Sequence, residues 1–325
     1  MVGPGFVDLQ VNGFLGVDFS RPDLTAEEVR GVARELRLRG TVAFCPTVIT
    51  SDEAVYASNL PVLADAAEDP ELAPMIPGIH LEGPFISPVD GARGAHPAAH
   101  VRPPDIAFFD RLLDRARGHV RLVTLAPELP GAEALIRRAV KAGCRVALGH
   151  HLASAREIER ACAAGATLVT HFGNGLPNSL PRHPNPLWDQ LAEERLDIAI
   201  IPDGHHLPPS VIRVVVRLRG ADRVLAVSDS APIAGFPPGR YNTLGQEVIL
   251  EESGHLWNPL ENHLVGSSLS MLDCMNVLAA LGILGEEDLW KVGLRNPLRL
   301  VGRRLEDLAD GGPAVRFREG RFVVE

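Results

Sequence analysis

The sequence predicts an α/β barrel of eight parallel strands. Two observations carry that reading: eight short runs are apolar nearly throughout, and helix-like segments separate them. A strand buried on both faces loses the in-out alternation of an exposed sheet, and helices between such strands imply a parallel sheet covered on both sides. A third observation concerns polarity. The polar residues of the runs gather at their C-terminal ends, the ends from which a barrel builds its active site. Eight βα units favour closure; an open doubly wound sheet is the alternative.

Taken in order, GFVDLQVNG (5–13) ends on Gln10 and Asn12. The amphipathic stretch TAEEVRGVARELRLRG (25–40) follows, where Thr25 and Glu28 form a capping box and Gly40 supplies the C-terminal stop. VAFCPTVIT (42–50) is the second run, and MIPGIHLEG (75–83) is the third, ending on Glu82. VRLVTLAPE (120–128) ends on Glu128 and leads into the helix GAEALIRRAVKAG (131–143). RVALGHH (145–151) ends on His150 and His151, and SAREIERACAAG (154–165) repeats the capping box with Ser154 and Glu157 before Gly165 stops it. TLVTHFGN (167–174) brings His171 and Asn174, and DIAIIPDGHH (197–206) brings Asp203, His205 and His206. After PPSVIRVVVRLRG (208–220), the eighth run RVLAVSDS (223–230) ends on Asp229.

Composition bounds the function. The 325 residues, 46% of them hydrophobic, can bury a sizeable core. A formal net charge of −9 argues against a general nucleic-acid binder but leaves room for a local anion pocket. Cys45, Cys144, Cys162 and Cys274 are scattered without a C-x-x-C pair and read as buried free thiols. No apolar run is long enough to span a bilayer. A soluble cytoplasmic protein with neither membrane nor nucleic-acid partners is the expectation.

Glu82 poses the chemical question. A carboxylate at the end of an apolar strand is costly to desolvate unless something positive meets it. One carboxylate and two imidazoles form a catalytic zinc set that leaves a coordination position for water. Glu82, His150 and His171 fit that set, each from a different run. His80, two residues before Glu82, shares its face by strand alternation and is expected to orient it. Asp229 either caps a following helix or takes and returns the proton of a cation-activated water.

The motifs PGFVDLQVNG, GIHLEGPFIS, RGAHP, TLAPE, GHHLASA, THFGNGLP, DGHHLPP, SDSAPIAG and GSSLSM, in this order from about residue 4 to residue 302, resemble those of the N-acetylglucosamine-6-phosphate deacetylases. That family belongs to the metal-dependent amidohydrolase barrels. The resemblance implies Glu82, His150 and His171 as ligands of one divalent ion, Zn2+ in the first place, with Fe2+ or another divalent ion compatible. It implies Asp229 as general base and acid. Where many amidohydrolases end strand one with His-x-His, this chain has Gln10-Val11-Asn12, so Gln10 is expected to face the second-metal position through water or substrate. Ala95 and His96, Asn174 and Gly175, Arg182, His206, and the segment Leu264, Val265 and Gly266 match substrate-contacting positions. Arg182 matches a phosphate-binding arginine that crosses a dimer interface, so a homodimer is implied. His205 has no assigned role.

Departures accompany the match. The family carries a second, small β-sandwich domain, whereas here the PGF motif begins at Pro4 and the tail after Gly302 is short. The expected organisation is one hydrolase barrel over 1–302 and a tail over 303–325, in which AVRFREGRFVVE (314–325) forms a hairpin about Glu319-Gly320. The expected reaction is hydrolysis of the acetamido group of N-acetylglucosamine 6-phosphate. The alternatives are deacetylation of the galactosamine epimer or another amide, and a non-catalytic sugar-phosphate binder.

Overall fold

Eight parallel strands run side by side in the computed structural model, which describes residues 2–308 and 312–325. They are β1 (Phe6–Val11), β2 (Thr41–Ile49), β3 (Ile79–Glu82), β4 (Val120–Leu125), β5 (Arg145–Leu148), β6 (Leu168–Val169), β7 (Asp197–Ile200) and β8 (Val224–Ala226). Each pairs with its predecessor in the chain. A parallel bridge between Val11 and Ser230 closes the seam between β8 and β1. The buried Asp8 carboxylate fastens the same seam by accepting the Ser228 N–H, at 3.1 Å, and the Ser228 hydroxyl. The fold is therefore the closed barrel, and the open sheet is excluded. The strands are shorter than the apolar runs because the polar residues at the C-terminal ends leave the ladder to form loops.

Helices cover the barrel: α1 (Ala26–Leu38), α2 (Glu53–Glu68), α3 (Ile106–Arg115), α4 (Ala132–Lys141), α5 (Ala155–Ala164), α6 (Pro186–Ala192), α7 (Pro209–Arg219) and α8 (Met271–Ala280). In α1, Val29, Val32, Ala33 and Leu36 are buried, a spacing of three and four that puts one apolar stripe against the strands. Both predicted capping boxes form, at Thr25 with Glu28 and at Ser154 with Glu157. Among the described residues no helix is long and apolar enough to cross a membrane.

Two smaller sheets complete the chain. An antiparallel meander follows β8: β9 (Gly239–Thr243), β10 (Gln246–Leu250), β11 (Leu256–Asn258) and β12 (His263–Leu264). No predicted run covers it. Its inner face buries Val248, Leu250 and Leu256 with Ala231, Ile233 and Val265 in a separate small core. At the C-terminus, β13 (Val315–Arg318) and β14 (Arg321–Val324) form a hairpin that pairs with Val2–Gly3. The Phe322 ring packs edge-on against Phe6 and Trp290, at centroid distances of 4.9 Å and 5.1 Å.

Candidate active site

The backbone marks the site before any side chain is considered. His150, His171 and Asp229 stand just past the ends of β5, β6 and β8 with φ of 53°, 28° and 51°. Left-handed backbone is uncommon away from glycine, and such strain gathers at sites where geometry matters more than comfort. Neighbouring glycines make the room. A Cβ at Gly149 would lie 2.8 Å from both Thr124 and Thr170 carbons. One at Gly175 would lie 2.7 Å from His150 Nδ1.

Glu82, His150 and His171 converge. Glu82 Oε1 lies 3.3 Å from His150 Nε2 and 2.9 Å from His171 Nε2, and the two imidazole nitrogens are 3.1 Å apart. Among the described residues this is the group whose ligand atoms gather closely enough to hold a metal ion. Nδ1 of His150 faces the Ala92 carbonyl oxygen at 3.0 Å, which assigns the ring proton there and leaves a lone pair on Nε2. Three electron-rich atoms this close, all buried, demand a proton or a cation among them. Metal bonds of 2.0–2.1 Å in tetrahedral disposition separate neighbouring ligand atoms by roughly 3.3 Å. The observed triangle is that size or slightly smaller, so the residues fit a divalent ion.

Electrostatics says the same. Burial alone pushes Glu82 up, but the His150 and His171 imidazoles facing it outweigh that and hold the carboxylate well below its usual range. Burial lowers His171, and the hydrogen bond with Glu82 overcomes that and raises it. Asp229 moves the other way: burial first, then the charge of Glu82, pushes it up to about 6. Its Oδ1 accepts Gln10 Nε2–H at 2.9 Å and Asn12 Nδ2–H at 2.8 Å. The Asp229 side chain caps no helix in these contacts.

A cavity of about 700 Å3 opens over this cluster. Of the predicted contact residues, Ala95, His96, Asn174, Gly175, His206, Leu264 and Gly266 line it. His96 Nε2 is 3.8 Å from Glu82 Oε2, while its Nδ1 faces the Thr50 hydroxyl at 2.9 Å and the Thr50 N–H at 3.4 Å. Burial, then the neighbouring His150, holds His96 well below the usual imidazole value, so the ring is neutral, and the assigned tautomer donates from Nε2. Asp203 accepts from His206 Nδ1 at 2.7 Å and sets that ring's orientation.

Three predicted contacts are not among the residues that line this chain's cavity. Gln10 is buried behind the carboxylates, donating to Glu82 Oε1 and Asp229 Oδ1 at 2.9 Å each, and does not line the cavity. The two carboxylates engage both N–H groups of the Gln10 amide. The Val265 side chain is fully buried in the meander's small core, so only its backbone, between the lining residues Leu264 and Gly266, is left to make the backbone contact expected of this segment. Arg182 is exposed in the loop before α6 and lines no part of this chain's own cavity. His80, whose ring feels the charges of Glu82, His171 and His150, spends its ring nitrogens on threonines instead. It bonds Thr124 at 2.8 Å and Thr47 at 3.2 Å inside the barrel, and burial lowers it to about 4. His205 pins the meander through Nε2 to the Ser253 carbonyl oxygen at 3.0 Å. Sequence reading gives no role to Arg93 or His263, which also line the cavity. Arg93 lies in a loop and His263 on a two-residue strand that no apolar run marks, so in the sequence each is indistinguishable from a solvated charge.

No family model matches the chain. Curated relatives do. The N-acetylglucosamine-6-phosphate deacetylases of Bos taurus and Homo sapiens are each 36% identical over 312 residues, covering 93% of this chain and 75% of theirs. An N-acetylgalactosamine-6-phosphate deacetylase of a Shewanella species is 33% identical over 311 residues, covering 95% of this chain and 77% of its own. Among solved structures, the N-acetyl-D-glucosamine-6-phosphate deacetylase of Mycobacterium smegmatis superposes with a TM-score of 0.88 at 30% identity, covering all of this chain and 85% of that one. An aspartate-to-alanine variant of that enzyme, in complex with N-acetyl-D-glucosamine-6-phosphate, gives 0.87 at 28% identity, again covering 100% and 85%.

Proposed function

The chain belongs to the N-acetylglucosamine-6-phosphate deacetylase family, and from that premise we propose that it hydrolyses N-acetylglucosamine 6-phosphate to glucosamine 6-phosphate and acetate. The single observation carrying the reading in this chain is the triangle of Glu82, His150 and His171 beside the buried Asp229.

Glu82, His150 and His171 are the residues that would hold a divalent ion. Such an ion supplies a water that is acidic near neutral pH and a Lewis acid for the acetyl carbonyl. Asp229 takes a proton from the attacking water. Gln10 and Asn12 hold its Oδ1 and so fix the carboxylate during the transfer. His96 donates from Nε2 to the carbonyl oxygen as negative charge develops there. Asp229 then returns its proton to the amide nitrogen as the C–N bond breaks, because an amine leaves far more readily than its anion. Asn174, Gly175 and His206 hold the sugar and its phosphate, spending binding energy on orientation.

Zinc suits one carboxylate and two imidazoles with an open position. The working form we propose is a homodimer in which the exposed Arg182 reaches the partner's cavity. Four buried free cysteines fit the reducing cytoplasm. The galactosamine epimer is the second reading, supported by the Shewanella relative.

The test is acetate release from both epimers by zinc-loaded protein and by Asp229→Asn. The glucosamine epimer should turn over faster, and Asp229→Asn should lose about 10^3-fold or more in kcat while keeping its metal. Turnover undiminished in Asp229→Asn contradicts the proposed base.

A further inference from the structure

A phosphate dianion must enter a cavity that already carries carboxylates. Glu82 and Asp229 lie at its floor, and Asp90 and Glu261 stand in its wall. Arg182 is absent from that wall. Among the described residues lining it, Arg93 is the one lysine or arginine. We propose that Arg93 is the in-chain phosphate contact, selecting phosphorylated over unphosphorylated amino sugars. This inference rests on the deacetylase reading.

The arginine is built in rather than trailing in solvent. Its side chain is only 17% exposed, and its Nη1 donates to the His96 carbonyl oxygen at 2.6 Å. That bond orients the guanidinium from the same short loop that supplies His96. Nη2 donates to Asp90 Oδ1 at 2.6 Å, but the Asp90 side chain is 93% exposed, so the pair is weak and open to exchange. Nε is buried and has no hydrogen-bond partner among the described residues. Nε is therefore a donor that the contacts within the chain leave unused. A phosphate can accept from adjacent guanidinium nitrogens together.

The wall around Arg93 is the right one. A Cβ on Gly91 would sit 2.5 Å from the Pro177 Cα, and one on Gly94 would sit 3.9 Å from the Gly175 Cα. The Arg93 loop therefore packs directly on the loop of Asn174 and Gly175, the proposed sugar-phosphate contacts. His263 faces the same space from the meander, bonded to Gln246 at 3.1 Å and paired with Glu261 at 3.4 Å. Glu261 is 64% exposed and, like Asp90, can turn to water.

The experiment compares kcat and KM of wild type, Arg93→Ala, Arg93→Lys and Arg182→Ala on N-acetylglucosamine 6-phosphate and on N-acetylglucosamine. The expected result for Arg93→Ala is a fall of about 10- to 100-fold in the ratio of kcat/KM between the phosphorylated and unphosphorylated sugars, carried by KM. Arg93→Lys, which keeps the charge but not the fork, should recover part of it. Equal losses on the two sugars would show that Arg93 only braces His96, and would overturn the inference. So would a ratio that stays unchanged while Arg182→Ala abolishes it. Wild-type protein that releases no acetate sinks the deacetylase reading and the inference with it, whereas wild-type turnover with an unaltered Arg93→Ala ratio sinks the inference alone.

Discussion

Asp229 and Gly175 show how much single residues decide. As the proposed base, Asp229 must be ionised to take a proton, and burial with the Glu82 charge pushes it up to about 6. A cation beside Glu82 offsets the second of those causes and draws the value down. Activity is therefore lost as pH falls, with the acid limb of kcat/KM at or below about pH 6; a limb at pH 7 or above contradicts the assignment. Gly175 acts through its missing side chain. Its φ is 61°, and a Cβ there would crowd the His150 ring at 2.7 Å from Nδ1 and 3.1 Å from Cε1. Gly175→Ala should weaken metal affinity by about 10- to 100-fold, the usual effect of disturbing a ligand's support, as read by competition with a chelator. Both proposed ligand histidines and Asp229 are legible in the sequence because each ends an apolar run, where a solvated charge has no reason to fall. Asn12 is legible only as a polar strand end. Its bond to Asp229, 217 residues away, is a product of barrel closure that no local pattern encodes.

Elements divide into those that announce themselves and those that do not. Helices such as α1 and α5 carry caps and an apolar stripe, so they are readable. The meander is not, because its four strands are short and half exposed, and their partners lie within a single surface layer. Yet it reaches the site: Gln246 Nε2–H donates to the Ala95 carbonyl oxygen at 2.9 Å, bracing the loop of His96. The C-terminal hairpin is readable as a hairpin, but its purpose is not. Phe322 is 1% exposed between Phe6, the first residue of β1, and Trp290. The backbone of Phe322 is also held at both ends by Asn276, with Phe322 N–H to Oδ1 at 2.6 Å and Nδ2–H to its carbonyl at 3.1 Å. Phe322→Ala should cost about 3–5 kcal/mol of stability in denaturant unfolding, through the cavity it leaves, while kcat of the folded protein stays within about twofold. A large loss of kcat with stability intact would contradict a purely structural hairpin.

The whole molecule is a cylinder closed at one seam, and the seam holds a buried acid. Burial pushes Asp8 up to about 7, with hydrogen bonds from Ser228 opposing it. A carboxyl raised on folding stabilises fully below its unfolded value near 4 and loses that contribution as pH climbs through about 7. Stability of the wild type should therefore decline from pH 5 to pH 8, by up to about 3 kcal/mol from this group. Asp8→Asn, which mimics the protonated acid and keeps an acceptor for the Ser228 N–H, should flatten the decline; an equally steep profile in Asp8→Asn contradicts it. The barrel itself was legible from eight apolar runs and their helices, but the closing contact between Asp8 and Ser228 lies 220 residues apart in sequence and is visible only in the fold. The central claim is that strand ends from three parts of this cylinder grip one cation. Elemental analysis of purified wild type and Glu82→Gln, each assayed for acetate release, tests it most directly. The account predicts about one divalent ion per wild-type chain, with ion and activity lost together in Glu82→Gln. Full turnover by metal-free protein, or an ion retained undiminished in Glu82→Gln, would contradict it.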